Sequence, residues 1–238
     1  MNGARFFQWL QSADFYRALH AEAVATVPAT GGRWLDVGCG PGLVTSLAAA
    51  RGFEALGVDP SAAMVEAARS HTPGAYFEHD DLAASGATAQ ASARGCEALR
   101  VEEARSHTPG ARFEQASLDD LVTSGATAHV VSAASLVLVL RDPRAGLEAL
   151  WQLVEPGGRL LVIETMPALR FTKALRHARG FGDVGLVLWG LARSGRSVAP
   201  LLDAFTPPDL ASATHHPLCA GLVGAWSFTR RPSQELHP

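Results

Sequence analysis

A chain of 238 residues, 47% hydrophobic and 18% charged, suits one α/β domain with a single core and excludes a disordered chain. A net charge of -3 gives no broad basic footprint for nucleic acid. Three scattered cysteines, Cys39, Cys96 and Cys219, make neither a disulfide framework nor a metal-ligand spacing, so a reducing, cytoplasmic setting is expected.

The opening MNGARFFQWLQSADF is not patterned as a signal peptide. Residues 130–140 and 184–192, the longest apolar stretches, fall short of the ~20 residues that span a bilayer. Residues 6–27 place Phe7, Leu10, Phe15, Leu19 and Ala23 at helical spacing and predict one or two amphipathic helices, ended by Pro28, Gly31 and Gly32. Residues 33–37 predict a short buried strand, followed by a glycine turn and a helix over 43–51. A second strand is expected over 53–58, with Ser61 capping a helix that runs to about Ser70. Residues 129–132 open the apolar stretch that runs to 140 and are read as a central strand buried on both faces. A helix over 147–154 and a turn at Glu155-Pro156-Gly157-Gly158 lead into another buried strand over 159–164. Residues 168–196 read as mostly helical with a break near 180–182. Strands over 211–215 and 221–229, joined by a Pro-containing loop, form an antiparallel hairpin before a frayed tail from 230 onward. Strands alternating with helices at this spacing imply a parallel sheet with right-handed crossovers.

Residues 50–89 are echoed by 93–128. Arg51-Gly52-Phe53-Glu54-Ala55-Leu56 returns as Arg94-Gly95-Cys96-Glu97-Ala98-Leu99, and ARSHTPGA at 68–75 returns intact at 104–111. Ser85-Gly86-Ala87-Thr88-Ala89 returns at 124–128. This reads as a tandem duplication of one strand-helix-strand unit, with too few copies for a solenoid. The second copy has no counterpart of residues 58–61. The expected organisation is one domain over 1–232, with helices in 1–30, the repeat, a segment over 168–200 covering an acceptor, and a tail at 233–238.

WLDVGCGPG at 34–42 lies between a strand and a helix. Glycines there let the backbone turn tightly and approach a ligand, with the helix amides pointing at it. Dinucleotide sites use G-x-G-x-x-G, whereas Gly38, Gly40 and Gly42 are spaced G-x-G-x-G. Asp36 stands just before them, where an acid repels a pyrophosphate but suits the ammonium of a methionine moiety. Asp59, at the tip of the second strand, is placed to accept from two ribose hydroxyls, with Pro60 near a base.

The D-x-G-x-G-x-G run and the later acid resemble the two strongest signatures of class I S-adenosylmethionine-dependent methyltransferases. The resemblance continues through Ala62-Ala63-Met64, FEQASLDDL at 113–121, residues 129–132, Arg141-Asp142-Pro143 and LVEPGGRLLVIE at 153–164. In order and spacing it is similar to the enzymes that methylate quinone precursors in ubiquinone and menaquinone biosynthesis, and to others acting on small molecules. It covers roughly residues 33–164 and the terminal hairpin. The resemblance implies a Rossmann-like methyltransferase sheet in the order 3-2-1-4-5-7-6, strand 7 antiparallel, with helices on both faces. The cofactor, S-adenosyl-L-methionine, would leave as S-adenosyl-L-homocysteine. By position, Asp36, Gly38, Cys39, Gly40 and Gly42 would hold its methionine part and Asp59 its ribose, while Pro60, Ser117 and Leu118 border the adenine. Ser117 departs from the acid that relatives carry there, and the first copy offers Asp80 instead. His129 likewise replaces an acid at the start of the fourth strand. The third strand is an edge strand in this fold, which makes the duplication tolerable, but two near-identical segments can compete for one edge and swap between protomers.

No base motif stands out, and no catalytic residue is assigned. Tyr16, His20, Ser135 and Glu164 face the cleft in this reading, and each also suits a structural duty. His215-His216 beside Cys219 lacks further ligands, so no metal is expected. Residues 170–196 mix Arg170, Lys173, Arg176, Arg179, Arg193 and Arg196 with Phe171, Leu175, Leu188 and Trp189. That stretch would favour an acidic or lipophilic acceptor, even one met at a membrane surface, or it is an ordinary amphipathic helix. The expected function is methyl transfer to a small-molecule acceptor. The alternative is a degenerate relative that binds the cofactor or a partner without catalysis, while Asp36 and the glycine spacing argue against a nicotinamide-dependent oxidoreductase.

Overall fold

The computed structural model describes residues 10–11, 13–70, 110–167 and 197–233. Its elements run α1 (Asp14–Ala25), β1 (Arg33–Val37), α2 (Leu43–Ala50), β2 (Glu54–Asp59), α3 (Ala62–Ser70), β3 (Arg112–Gln115), α4 (Leu118–Ser124), β4 (Ala128–Ala134), α5 (Pro143–Gln152), β5 (Val154–Thr165), α6 (Ala199–Asp203), β6 (Leu210–Leu218) and β7 (Val223–Arg230). The body of the repeat with Asp80, the 168–196 stretch and residues 234–238 lie outside the described residues.

The seven strands form one sheet in the order β3-β2-β1-β4-β5-β7-β6. Pairings are parallel from β3 to β5, and β7 runs antiparallel to both of its neighbours. Successive side chains on a strand point to opposite faces. Thus β1 sends Trp34 into one core cluster and Leu35 and Val37 into the other, and β5 splits Leu161 and Ile163 from Leu160 and Val162 in the same way. α1 and α2 cover the first face, and α4, α5 and α6 the second. Because β1 has β2 on one side and β4 on the other, the strand order reverses there and a crevice opens at their carboxyl ends.

α1 reaches that crevice through its packing. Phe15, Tyr16, Leu19, His20, Ala23 and Val24 are buried, a stripe at four-residue spacing. At its end the Arg51 guanidinium donates to the carbonyls of Val24 and Val27. This ties α1 to the C-terminus of α2.

Several boundaries differ from the sequence reading. The stretch 155–158 is no turn: it belongs to β5, where the register on β4 shifts between Ala128 and Val130. A Cβ on Gly158 would meet the His129 carbonyl oxygen at 2.5 Å, so the glycine serves close strand approach. α5 begins at Pro143, not 147, because Asp142 caps it by accepting from the Arg144 and Ala145 amides. The terminal hairpin is bounded differently: β6 is longer and takes in Pro217, residues 219–221 make the connecting 3-10 turn, and β7 starts at Val223 and includes Arg230. Pro is tolerated there because β6 is an edge strand. The third strand comes from the second copy of the repeat.

Candidate functional site

A cavity of about 330 Å³ opens at the carboxyl ends of β1, β2 and β4. Asp36, Gly38, Cys39, Gly40, Asp59 and Pro60 line it, so six sequence-predicted positions converge. Gly42, Ser117 and Leu118 are not in its lining. Gly42 precedes α2 with φ 90°, where an added Cβ would meet Phe113 Cε1 at 2.6 Å. Ser117 caps α4: its Oγ accepts from the Asp120 amide, and the Asp120 carboxylate accepts from the Ser117 amide. Leu118 packs against the second core cluster.

Asp36 is 1% exposed. Its Oδ1 accepts from Ser132 Oγ and its Oδ2 from Thr45 Oγ1, both at 2.7 Å. Ser132 Oγ in turn accepts from Trp34 Nε1 at 2.8 Å, so a buried relay fixes the carboxylate. Burial pushes its pKa up to about 6 although the two hydroxyls pull it down. Asp59 Oδ2 accepts from the Gly40 amide at 3.0 Å and Oδ1 from the Ser61 amide at 2.9 Å. The glycine loop is therefore clipped to the end of β2. Val58 adds a second clip, its carbonyl accepting from the Gly38 and Cys39 amides. Burial pushes the Cys39 thiol upward, which keeps it protonated and unreactive.

The other wall comes from the N-terminal segment and from the turn after β4. Gln11, Tyr16 and His20 line the cavity, as do Ser135, Leu136 and Val139. Gln11 was not legible in the sequence: it is 7% exposed, and its Oε1 is buried without a hydrogen-bond partner. His20 donates through Nδ1 to the Tyr16 carbonyl at 2.7 Å, and its ring packs on the Tyr16 ring with centroids 4.2 Å apart. Burial lowers its pKa to about 4, against that hydrogen bond, so the imidazole is neutral at pH 7. Ser135 holds φ 56°, unusual for a residue with a side chain, and donates its amide to the Ile163 carbonyl. Glu164 is absent from the lining: it is buried, and its Oε1 accepts from the Leu138 amide. His215 stacks on Trp226 at 4.3 Å, and the described residues contain no group of three His, Cys, Asp or Glu able to hold a metal ion.

Residues 8–204 match a family described as a methyltransferase domain. The chain belongs to this methyltransferase domain family. The domain is of the S-adenosylmethionine-dependent class, with that class's strand order. Among solved structures, it shares the fold of a SAM-dependent methyltransferase from Thermotoga maritima at TM-score 0.55 and 14% identity, over 95% of each chain. It also shares the fold of magnesium protoporphyrin IX methyltransferase from Synechocystis PCC 6803 with bound SAH, at TM-score 0.53 and 15% identity, over 96% of this chain and 95% of that one. Two curated relatives are named trans-aconitate 2-methyltransferase. The one from Methylobacterium nodulans is 44% identical over 79 residues, 32% of this chain and 31% of its own length. The one from Paracidovorax citrulli is 44% identical over 66 residues, 26% of this chain and 25% of its own length. The chain therefore spans less than a third of either curated relative. Among the described residues of this methyltransferase domain, no helix is long and apolar enough to cross a membrane.

Proposed function

We propose that this domain moves a methyl group from S-adenosylmethionine to a small-molecule acceptor, with the cofactor held by Asp36, Gly38, Cys39, Gly40, Gly42, Asp59 and Pro60. Asp36 is the observation that carries the reading. It is a buried carboxylate with two hydroxyl donors and, among the described residues, no cation hydrogen-bonded to it, and a ligand ammonium would relieve the cost of its burial. Each Asp36 oxygen accepts one hydroxyl and keeps a lone pair for that ammonium. Asp59 accepts two backbone amides in the same way, leaving room for two ribose hydroxyls. Gln11 Oε1 adds an unpaired acceptor at the methionine end. Ser117 and Leu118 follow a stretch fastened to the β2 corner, where Gln115 Nε2 donates to the Pro60 carbonyl and the Ala116 amide to that of Asp59. In this reading they form the outer border of the adenine.

When bound, S-adenosylmethionine supplies a sulfonium-activated methyl group. The chain's task is then to hold an acceptor in line and keep water out. Leu43, Val44, Met64, Leu136 and Val139 give the cavity an apolar wall, which suits a compact or lipophilic acceptor, including the quinone-precursor type. The names of the two curated relatives support a small acidic one. Among the described residues the cavity lining holds no Lys or Arg.

The test is transfer of label from methyl-tritiated S-adenosylmethionine to a panel of small acids, trans-aconitate among them, and small phenols. Labelled product from at least one member is expected. Cofactor binding with no transfer to any member would favour the non-catalytic reading, in which the repeat and the helix-capping Ser117 replace a working adenine wall.

A further inference from the structure

Tyr16 and His20 sit one helical turn apart on α1, and both line the cavity. The Tyr16 carbonyl can only accept a hydrogen bond, so His20 Nδ1 must carry the ring's proton. Nε2 is then a bare lone pair. Among the described residues Nε2 has no hydrogen-bond partner, and His20 is part of the cavity lining. The residue as a whole is 2% exposed and locked by its stack on Tyr16. A fixed tautomer, an immobilised ring and an unpartnered acceptor atom in the lining of a cavity make more than a packed core histidine needs.

We infer that His20 Nε2 receives the acceptor's proton, and that the group methylated here is a proton-bearing nucleophile, a hydroxyl above all, rather than a carboxylate. This deepens the methyl-transfer reading and rests on it. With Asp36, Asp59 and Gln11 given to the cofactor, His20 Nε2 is left for the group methylated, in a wall that also holds the Tyr16 and Ser135 side chains. A carboxylate nucleophile would bring a lone pair against that of Nε2, whereas a hydroxyl brings a hydrogen to it. An acidic acceptor fits when its carboxylates face away and its hydroxyl faces His20, which points to a hydroxy acid or phenolic acid. In the step, the acceptor oxygen gains the methyl group and the carbon–sulfur pair stays on sulfur, leaving a neutral thioether. The hydroxyl proton passes to Nε2 and then to solvent. The weak basicity that burial imposes on His20 suffices, because an oxygen becoming methylated turns strongly acidic along the way.

The experiment compares wild type with His20→Asn, whose amide keeps a donor for the Tyr16 carbonyl but removes Nε2. Calorimetry with S-adenosylhomocysteine comes first. An unchanged Kd, within about twofold, shows that the variant is folded and the cofactor site intact, whereas wild type that fails to bind overturns the methyl-transfer reading itself. Turnover is then measured on 4-hydroxybenzoate and on trans-aconitate. The expected result is an aryl methyl ether from the former, with kcat lowered about 100-fold in the variant and KM little changed. Methyl esters formed from trans-aconitate at rates indifferent to His20→Asn overturn the inference. A histidine-selective 15N spectrum at pH 7 needs no acceptor: an Nδ1–H tautomer supports it, and an Nε2–H tautomer overturns it. If His20→Asn does not fold, the spectrum and the wild-type product decide.

Discussion

Replacing Asp36 with Asn removes a buried charge and keeps the shape of the side chain. Burial holds the Asp36 pKa at about 6 against an ordinary 3.8, which at about 1.36 kcal/mol per pH unit makes the ionised form cost roughly 3 kcal/mol at neutral pH. Because the folded pKa is raised, that contribution favours the fold fully below pH 3.8 and is lost as the pH rises through about 6. His20 runs the other way. Its pKa falls from 6.5 to about 4, so a contribution of roughly 3 kcal/mol is present above pH 6.5 and lost as the pH falls through about 4. In the wild type the two nearly cancel across the same window; in Asp36→Asn the His20 slope stands alone. Urea denaturation followed by tryptophan fluorescence should find the variant more stable than wild type at pH 7.5, by about 1–3 kcal/mol. The lower end applies if turning a Thr45 or Ser132 hydroxyl to face the amide costs a hydrogen bond. The advantage should vanish by about pH 4, and the variant should not bind S-adenosylmethionine. A stability difference constant between pH 7.5 and 4.5, or a variant less stable than wild type throughout, would refute the view of Asp36 as a costly buried carboxylate awaiting a cation.

Cofactor affinity should itself depend on pH, because only ionised Asp36 pairs with an ammonium. Calorimetry should show Kd weakening up to tenfold per pH unit below about 6 and flat above about 7. Gly57→Ala places a Cβ 2.5 Å from Thr45 Oγ1 and 2.8 Å from Phe113 Cδ1, so a loss of about 1–3 kcal/mol in urea denaturation and weaker cofactor binding are expected together. Phe113→Ala strips the side chain that packs on Gly42 and Gly57, and thermal melts should show a loss of about 2 kcal/mol. Phe77→Ala, the same substitution in the first copy, should leave melting and cofactor affinity unchanged if the second copy alone supplies β3.

The sequence carried the parts of the site that are local. Residues 34–42 predict a strand, a loop and a helix from neighbouring positions alone, and Asp36 and Asp59 stand at strand ends where the chain must turn. Pairing at a distance was harder to read. Gly157-Gly158 has the composition of a turn, yet β4 approaches so closely that only a glycine fits at Gly158, and the strand runs through. The start of α5 was signalled by Asp142-Pro143 but hidden by weak apolar periodicity in its first turn. β6 was cut short at His215 because Pro217 reads as a breaker, yet on an edge strand a proline is tolerated and the strand runs on to Leu218. Two near-identical copies cannot be ranked by local pattern, so the choice of the second for β3 came from the sheet itself. Gln11 joins the site only through the packing of the N-terminal segment over Gly40, and no motif announces it.

Isothermal titration with S-adenosylmethionine and S-adenosylhomocysteine, NAD serving as control, repeated on Asp59→Ala, bears most directly on the cofactor site. Micromolar binding of both sulfur ligands, none of NAD, and loss of affinity in Asp59→Ala are the predicted results. A folded wild-type protein that binds neither ligand, or an Asp59→Ala variant that binds as tightly as wild type, would contradict the assignment of this cavity.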